Sequence, residues 1–310
     1  MTGPRPGPAP SRRREGPPTL PGGQRVPRPA GNGASGEKGE GAMPSPLESR
    51  PLTRIDPTAP HGRSGGAPTT DDAAEAAATP AATDPAVLAR LLAWMSPAFP
   101  VGAYSHSHGL ERAVADGTVT SAASLEAWLT DILRHGGARA DAILFAHAWR
   151  AAAAGDTAGL DAVADLAAAF QPSKERFLEA TAQGRAFLTA VMAAWPDPRL
   201  AALARAFPAD RPLSYPVAVA IAAAAHAVPL AAALTGMVSA FVANLVSAGV
   251  RTIPIGQTDG QRIVAALAPL VAETAAAATI APLDDLGGAA FRADIASMQH
   301  ETQYTRLFRS

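Results

Sequence analysis

LSYPVAVAIAAAAHAVPLAAALTGMVSAFVANLVSAGV, residues 213–250, is the stretch whose reading decides the fold. No residue in it carries a formal charge, and Arg251 ends it. An uncharged, mostly apolar run of more than about 18 residues is long enough to span a membrane, and two helices cut from it would make a membrane hairpin. Its content supports another reading. Much of the apolar content is alanine, which gains little on leaving water compared with leucine or phenylalanine. Pro229 divides the run, leaving a first half with His226 and few large side chains, and no belt of tryptophan and tyrosine flanks both ends. Alanine-rich helices buried on all sides of a helical bundle give the same pattern, because small side chains let helix axes approach closely. The run therefore predicts two core helices, one capped by Ser214 and reaching about residue 227, the next started by Pro229 and reaching about residue 249. The membrane hairpin is the competing expectation.

Beyond Arg251, Ile253-Pro254-Ile255-Gly256 breaks the helix, since proline lacks a backbone donor and disfavours helix in the residue before it. Thr258-Asp-Gly-Gln261 then reads as a capping box opening a helix over 259–278, with the Asp259 carboxylate beside its positive end. Gln257, Asp259, Gln261 and Arg262 make a dense polar knot, either a well-made helix start or a functional surface. Upstream the chain reads as helical from Asp84. Asp84-Pro85 is a cap followed by proline in the first turn, and Val87, Leu88, Leu91, Leu92 and Met95 follow at helical spacing. Residues 96–108 read as a loop. A short helix near 109–115 ends at Gly117, and Ser121 opens another that Gly136 closes. Further helices are expected near 139–153, 158–170, 174–194 and 199–206. The fold class is all-α, bundle-like, without strands or internal repeats.

The 310 residues carry a net charge of −1, which offers nothing to a nucleic acid, and no cysteine, which excludes disulfides, thiolate metal sites and cysteine nucleophiles. Scattered N-terminal arginines accompany no apolar stretch of a secretory signal, so a cytoplasmic protein off the membrane is expected. Composition changes near residue 84. More than half of the 29 prolines precede it, with clustered glycines and few bulky apolar residues. Residues 1–83 are therefore expected to be a disordered tail, and 84–310 the helical domain.

The sequence holds no nucleophile elbow, no phosphate-binding glycine loop and no HExxH motif. His106 and His108, with Glu111 beyond them, could place two imidazoles on one side of an extended loop, and imidazole suits nickel or zinc. Two ligands do not make a site, so a loop that caps a helix with Ser107 is the plainer reading, and a histidine-based metal-binding protein the alternative. The C-terminal stretch is rich in Met298, His300, Tyr304, Arg306, Leu307, Phe308 and Arg309, residue types enriched at interface cores. It reads either as a packed last helix or as a docking segment. Tyr304, Leu307 and Phe308 at i, i+3 and i+4 would share one helical stripe.

FPVGAYSHSHGLE (99–111), NLVSAGVRTIPIGQTDGQR (244–262) and DIASMQHETQYTRLFRS (294–310) together resemble the family of the urease accessory protein UreF, in that family's order and at suitable spacing. EATAQGR (179–185) and Tyr215-Pro216 also fit. The resemblance covers about 86–310 and none of the N-terminal tail. Tyr104 stands where phenylalanine is common and His106 where tyrosine is common, so neither aromatic is indispensable in kind. The resemblance implies an all-α cytoplasmic protein with no catalytic residue, metal ligand or cofactor of its own, acting in assembly of the urease nickel centre. It implies binding to the accessory protein UreD (UreH in some systems) and through it to apo-urease, engagement of the GTPase UreG that delivers nickel, and dimerisation. The partner-binding residues it suggests are Tyr104, His106, Glu111, Gln257, Asp259, Gln261, Arg262, His300, Glu301, Tyr304, Arg306 and Phe308.

Overall fold

The computed structural model describes residue 3 and residues 84–310, so the expectation for the tail over 1–83 lies outside the described residues apart from that one position. In chain order the helices are α1 (Pro85–Trp94), α2 (Leu110–Ala115), α3 (Ala122–His135), α4 (Gly137–Ala154), α5 (Thr157–Ala169), α6 (Lys174–Ala194), α7 (Pro198–Ala204), α8 (Tyr215–Ala225), α9 (Leu230–Thr252), α10 (Gln257–Ala278) and α11 (Phe291–His300). Single 3₁₀ turns lie at Ala103–Ser105 and Leu283–Asp285, and no strand occurs among the described residues. The all-α expectation holds.

The uncharged run supplies the centre. Every residue of α8 from Pro216 to Ala225 is buried. Its alanines let α4 and α6 close on it from two sides, with α7 and α9 touching it as well. Gly184 on α6 shows how close that approach is: a Cβ there would run into the Leu213 carbonyl oxygen and the Ser214 backbone. At 11 residues, α8 is only about 16 Å long, roughly half of the about 30 Å hydrocarbon thickness it would have to cross. It cannot be one leg of a membrane hairpin. Among the described residues α9 is the helix long and apolar enough to cross a membrane by length and composition. Here it turns Leu234, Met237, Val238, Val242, Leu245 and Val246 into the core, and leaves Ala231, Ser239 and Ser247 outside.

Local signals set most helix ends. Asp84 accepts the Ala86 amide at 2.8 Å, and Ser121 and Ser124 form a reciprocal cap at the start of α3. Two expectations are corrected. Ser214 gives α8 no side-chain cap, because its hydroxyl is buried without a partner under α6. The capping box assigned to Thr258 and Gln261 is shifted by two residues. Gly256 is the N-cap of α10, and the Asp259 carboxylate, in its first turn, reaches back to the Gly256 amide at 3.2 Å. Pro254 stops α9 early enough for the extended Gly256 to serve as the joint.

Candidate functional site

The loop after α1 carries the first of the quoted blocks into the core. After the 3₁₀ turn, His108 (φ 59°) and Gly109 (φ 78°) both take left-handed backbone, which turns Ser107 and His108 inward. That conformation costs a non-glycine residue about 1–2 kcal/mol, so its surroundings must hold His108 there. Gly109 is required for a second reason: a Cβ would meet the Ser297 amide nitrogen of α11 at 2.9 Å. The close contact of α2 with α11 depends on that missing atom.

Against this loop lies the C-terminal segment, and here a third expectation is corrected. The last helix stops at His300, so residues 301–310 are turns and extended chain rather than a helical stripe. Tyr304 and Leu307 point to solvent, whereas Phe308 is 4% exposed. The cause is Glu111. Its carboxylate accepts the amides of Leu307 at 2.6 Å and Phe308 at 2.9 Å, donors that a helix would have spent on its own carbonyls. The Arg309 amide donates to the Ser105 carbonyl at 2.8 Å, and the Ser107 amide to the Ser310 carbonyl at 2.8 Å. The Ser107 hydroxyl also donates to that carbonyl and accepts from the Glu111 amide at 3.2 Å.

Below the segment, α6 presents charged residues inward. Arg176 and Glu179 pair at 2.6 Å, both buried. Burial opposes the charge on Glu179, yet the Arg176 guanidinium beside it holds its carboxyl well below the usual range. Ser310 donates its hydroxyl to Glu179 at 2.7 Å, which leaves His106 Nδ1–H to donate to that hydroxyl at 3.1 Å. Burial lowers His106 and drives His108 down to about 4, so His108 is neutral at pH 7. Its Nδ1 stands 3.8 Å from Glu179, too far for a hydrogen bond. His300, 0% exposed, is gripped from both sides: Nδ1 lies 2.6 Å from Glu175 and Nε2 3.0 Å from Glu111. Arg306 donates to the other Glu175 oxygen at 2.6 Å. Asp141, pushed up to about 6 by burial, has only Arg176 at 4.0 Å and borders a cavity of about 220 Å³ walled by Trp94, Tyr215 and Phe241.

The structure thus brings Tyr104, His106, Glu111, His300, Arg306 and Phe308 to one seam. Arg251, unmarked by the sequence reading as a site residue, joins them: its guanidinium lies over the Tyr104 ring at 4.0 Å and the Phe308 ring at 4.4 Å. Glu301 turns away and accepts the Lys174 amide at 2.8 Å, at the start of α6. Gln257, Asp259, Gln261 and Arg262 form a separate surface patch in which Asp259 also pairs with Arg262 at 2.7 Å. His106, His300 and Phe308 are buried in the free chain, whereas Tyr104 is exposed. The residues missed by sequence, Glu175, Arg176 and Ser310, had no local mark beyond two charges beginning a helix. Glu179 was visible only within the EATAQGR block.

The histidines do not converge. Both ring nitrogens of His300 are occupied, and among the described residues no group of three or more histidine or acidic side chains could hold a metal ion. Among the exposed side chains of this region, Phe291, Ile295 and Met298 recur at i, i+4 and i+7 along α11 and are 65%, 50% and 48% exposed, with Tyr304 and Leu307 beyond them. An exposed apolar stripe of this kind is a feature that protein–protein contact surfaces share.

Comparison with known proteins agrees in kind. The family model UreF matches residues 119–268. The chain is 56% identical over 241 residues to the urease accessory protein UreF of Rhodopseudomonas palustris (strain BisB18), covering 77% of this chain and 97% of that protein. It is 56% identical over 220 residues to that of Methylobacterium sp. (strain 4-46), covering 71% and 87%, and 51% identical over 230 residues to that of Bradyrhizobium diazoefficiens, covering 74% and 94%. The chain belongs to the UreF family of urease accessory proteins.

Proposed function

We propose that this chain is an assembly factor for urease. It docks on UreD (UreH) bound to apo-urease, receives the GTPase UreG, and supports insertion of nickel, the cargo, without catalytic chemistry or a cofactor of its own. It works in the cytoplasm, as a homodimer within the accessory complex. Family membership and close relatives that are urease accessory proteins support the urease link.

The observation that carries the docking reading is the exposed stripe of Phe291, Ile295 and Met298, continued by Tyr304 and Leu307. Aromatic, methionine and arginine side chains dominate the energetics of interface cores, and a stripe already rigid in the free protein loses little entropy on binding. Glu111 and Glu175 supply that rigidity from below. The stripe is assigned to UreD. The knot of Gln257, Gln261 and Arg262, exposed at the start of α10 and braced by Asp259, offers a second surface for UreG. The reading is tested in a urease-producing cell deleted for its own UreF. Expression of this chain should restore nickel-loaded, active urease. Urease that stays nickel-free although the chain is folded and the other accessory proteins are present would contradict it.

A further inference from the structure

We propose that His300 is the positioning residue of the docking segment and acts as an imidazolium, donating from both ring nitrogens at once to Glu111 and Glu175. The proposal rests on the docking reading above. Its ground is a count of donors and acceptors. Glu111 Oε2 receives His300 Nε2 and the Phe308 amide, and Oε1 receives the Leu307 amide. Glu175 Oε2 receives His300 Nδ1, and Oε1 receives Arg306. The two carboxylates that grip the ring are therefore the same two that hold residues 306–308. A neutral imidazole has one N–H and one bare nitrogen. Whichever nitrogen is bare, its lone pair would face a carboxylate oxygen at 2.6–3.0 Å. With the ring wholly buried, no water can relieve that opposition. With both carboxylates ionised, only the doubly protonated ring satisfies both sides.

The charged and titratable groups around the ring are Glu111 from α2, Glu175 from α6 and Arg306 from the segment itself. Further along α6, Arg176 and Glu179 pair with each other, with His106 and His108 beside Glu179, and Glu301 turns to the Lys174 amide. The sign follows from the geometry. Loss of the second proton as pH rises converts one attractive contact into a repulsive one, so the segment loosens on the alkaline side. His300 thereby sets whether the docking face is rigid.

The test is nitrogen NMR on the full chain, with amide exchange read at Leu307 and Phe308. At pH 6 both His300 nitrogens should show protonated shifts. Exchange of the two amides, corrected for intrinsic base catalysis, should rise about tenfold or more as the ring loses its proton. Glu175→Gln separates this from ordinary packing: its oxygen can still accept from Arg306, while its NH₂ donates to a neutral ring, so the extra pH dependence should vanish. His300→Gln, which offers an NH₂ to only one carboxylate, should exchange fast at every pH. A neutral His300 ring at pH 6, or wild-type exchange that follows the intrinsic rate throughout, overturns the proposal. If the NMR results are as expected but His300→Gln captures UreD as well as wild type, the docking reading fails and the positioning role stands.

Discussion

Helix α8 and the inward face of the first half of α6 are both buried, and they are built from opposite materials. From Pro216 to Ala225, α8 buries only small or aliphatic side chains and needs nothing of its neighbours but area. The first half of α6 buries Glu175, Arg176, Glu179 and Gln183, each of which must find a counterpart. Arg176, Glu179 and Gln183 meet within the helix itself, while the partners of Glu175 and a further donor to Glu179 come from far along the chain, in the C-terminal segment. Removing water from α8 is favourable in itself. Removing it from α6 is tolerable only once the seam is complete, because an unpaired buried charge costs several kcal/mol. The apolar helix makes the fold, and the charged one fixes where the end of the chain goes.

The widest gap between the two helices should appear on excision of a side chain from each. Glu179→Ala leaves Arg176 buried without its partner and releases Ser310, and should cost about 3–5 kcal/mol. Ala220→Gly in α8 removes one methyl and loosens the backbone, for about 1 kcal/mol. Denaturant unfolding of both variants checks this, and equal losses would break the contrast.

A smaller effect should come from Asp141. Burial raises its carboxyl to about 6, against the pull of Arg176. The folded protein thus keeps a proton that the unfolded chain releases at the ordinary carboxyl value of 3.8. The favourable contribution is full below that value and is lost as pH rises through about 6. At pH 8 the ionised group weakens the fold, and Asp141→Asn should be more stable than wild type by about 2 kcal/mol, with the gain gone at pH 4. Thermal midpoints at the two pH values decide it. A gain of the same size at both would place its origin outside the ionisation of Asp141.

The same contrast explains what the sequence disclosed. An apolar helix announces itself by composition, so α8 and α9 could be read from residues 213–250, and caps such as Asp84 and Ser121 act within a few residues of themselves. The joint before α10 was half legible: the acidic charge of Asp259 was placed at a helix start, but the start itself lies at Gly256, set by the break at Pro254. The C-terminal segment departs from the helix that its local spacing suits, because Glu111, 196 residues from Leu307, takes the amides that a helix would use. His300 has the composition of an interface residue, yet its two partners stand 125 and 189 residues away and bury it. Arg251 looked like the end of an apolar run, and only the fold lays Tyr104 and Phe308 on its two sides.

The account turns on the exposed stripe of α11 being a docking face. Its most direct test is the affinity of the purified chain for UreD, measured for wild type, Ile295→Asp and Ser239→Asp. Ile295 stands in the stripe, half exposed, and Ser239 is exposed on α9 outside it. Both variants should keep the wild-type helical signal and thermal midpoint. Ile295→Asp should weaken the complex by about 2 kcal/mol or more, roughly thirtyfold, while Ser239→Asp leaves it unchanged. Wild-type affinity in a folded Ile295→Asp protein would contradict the account.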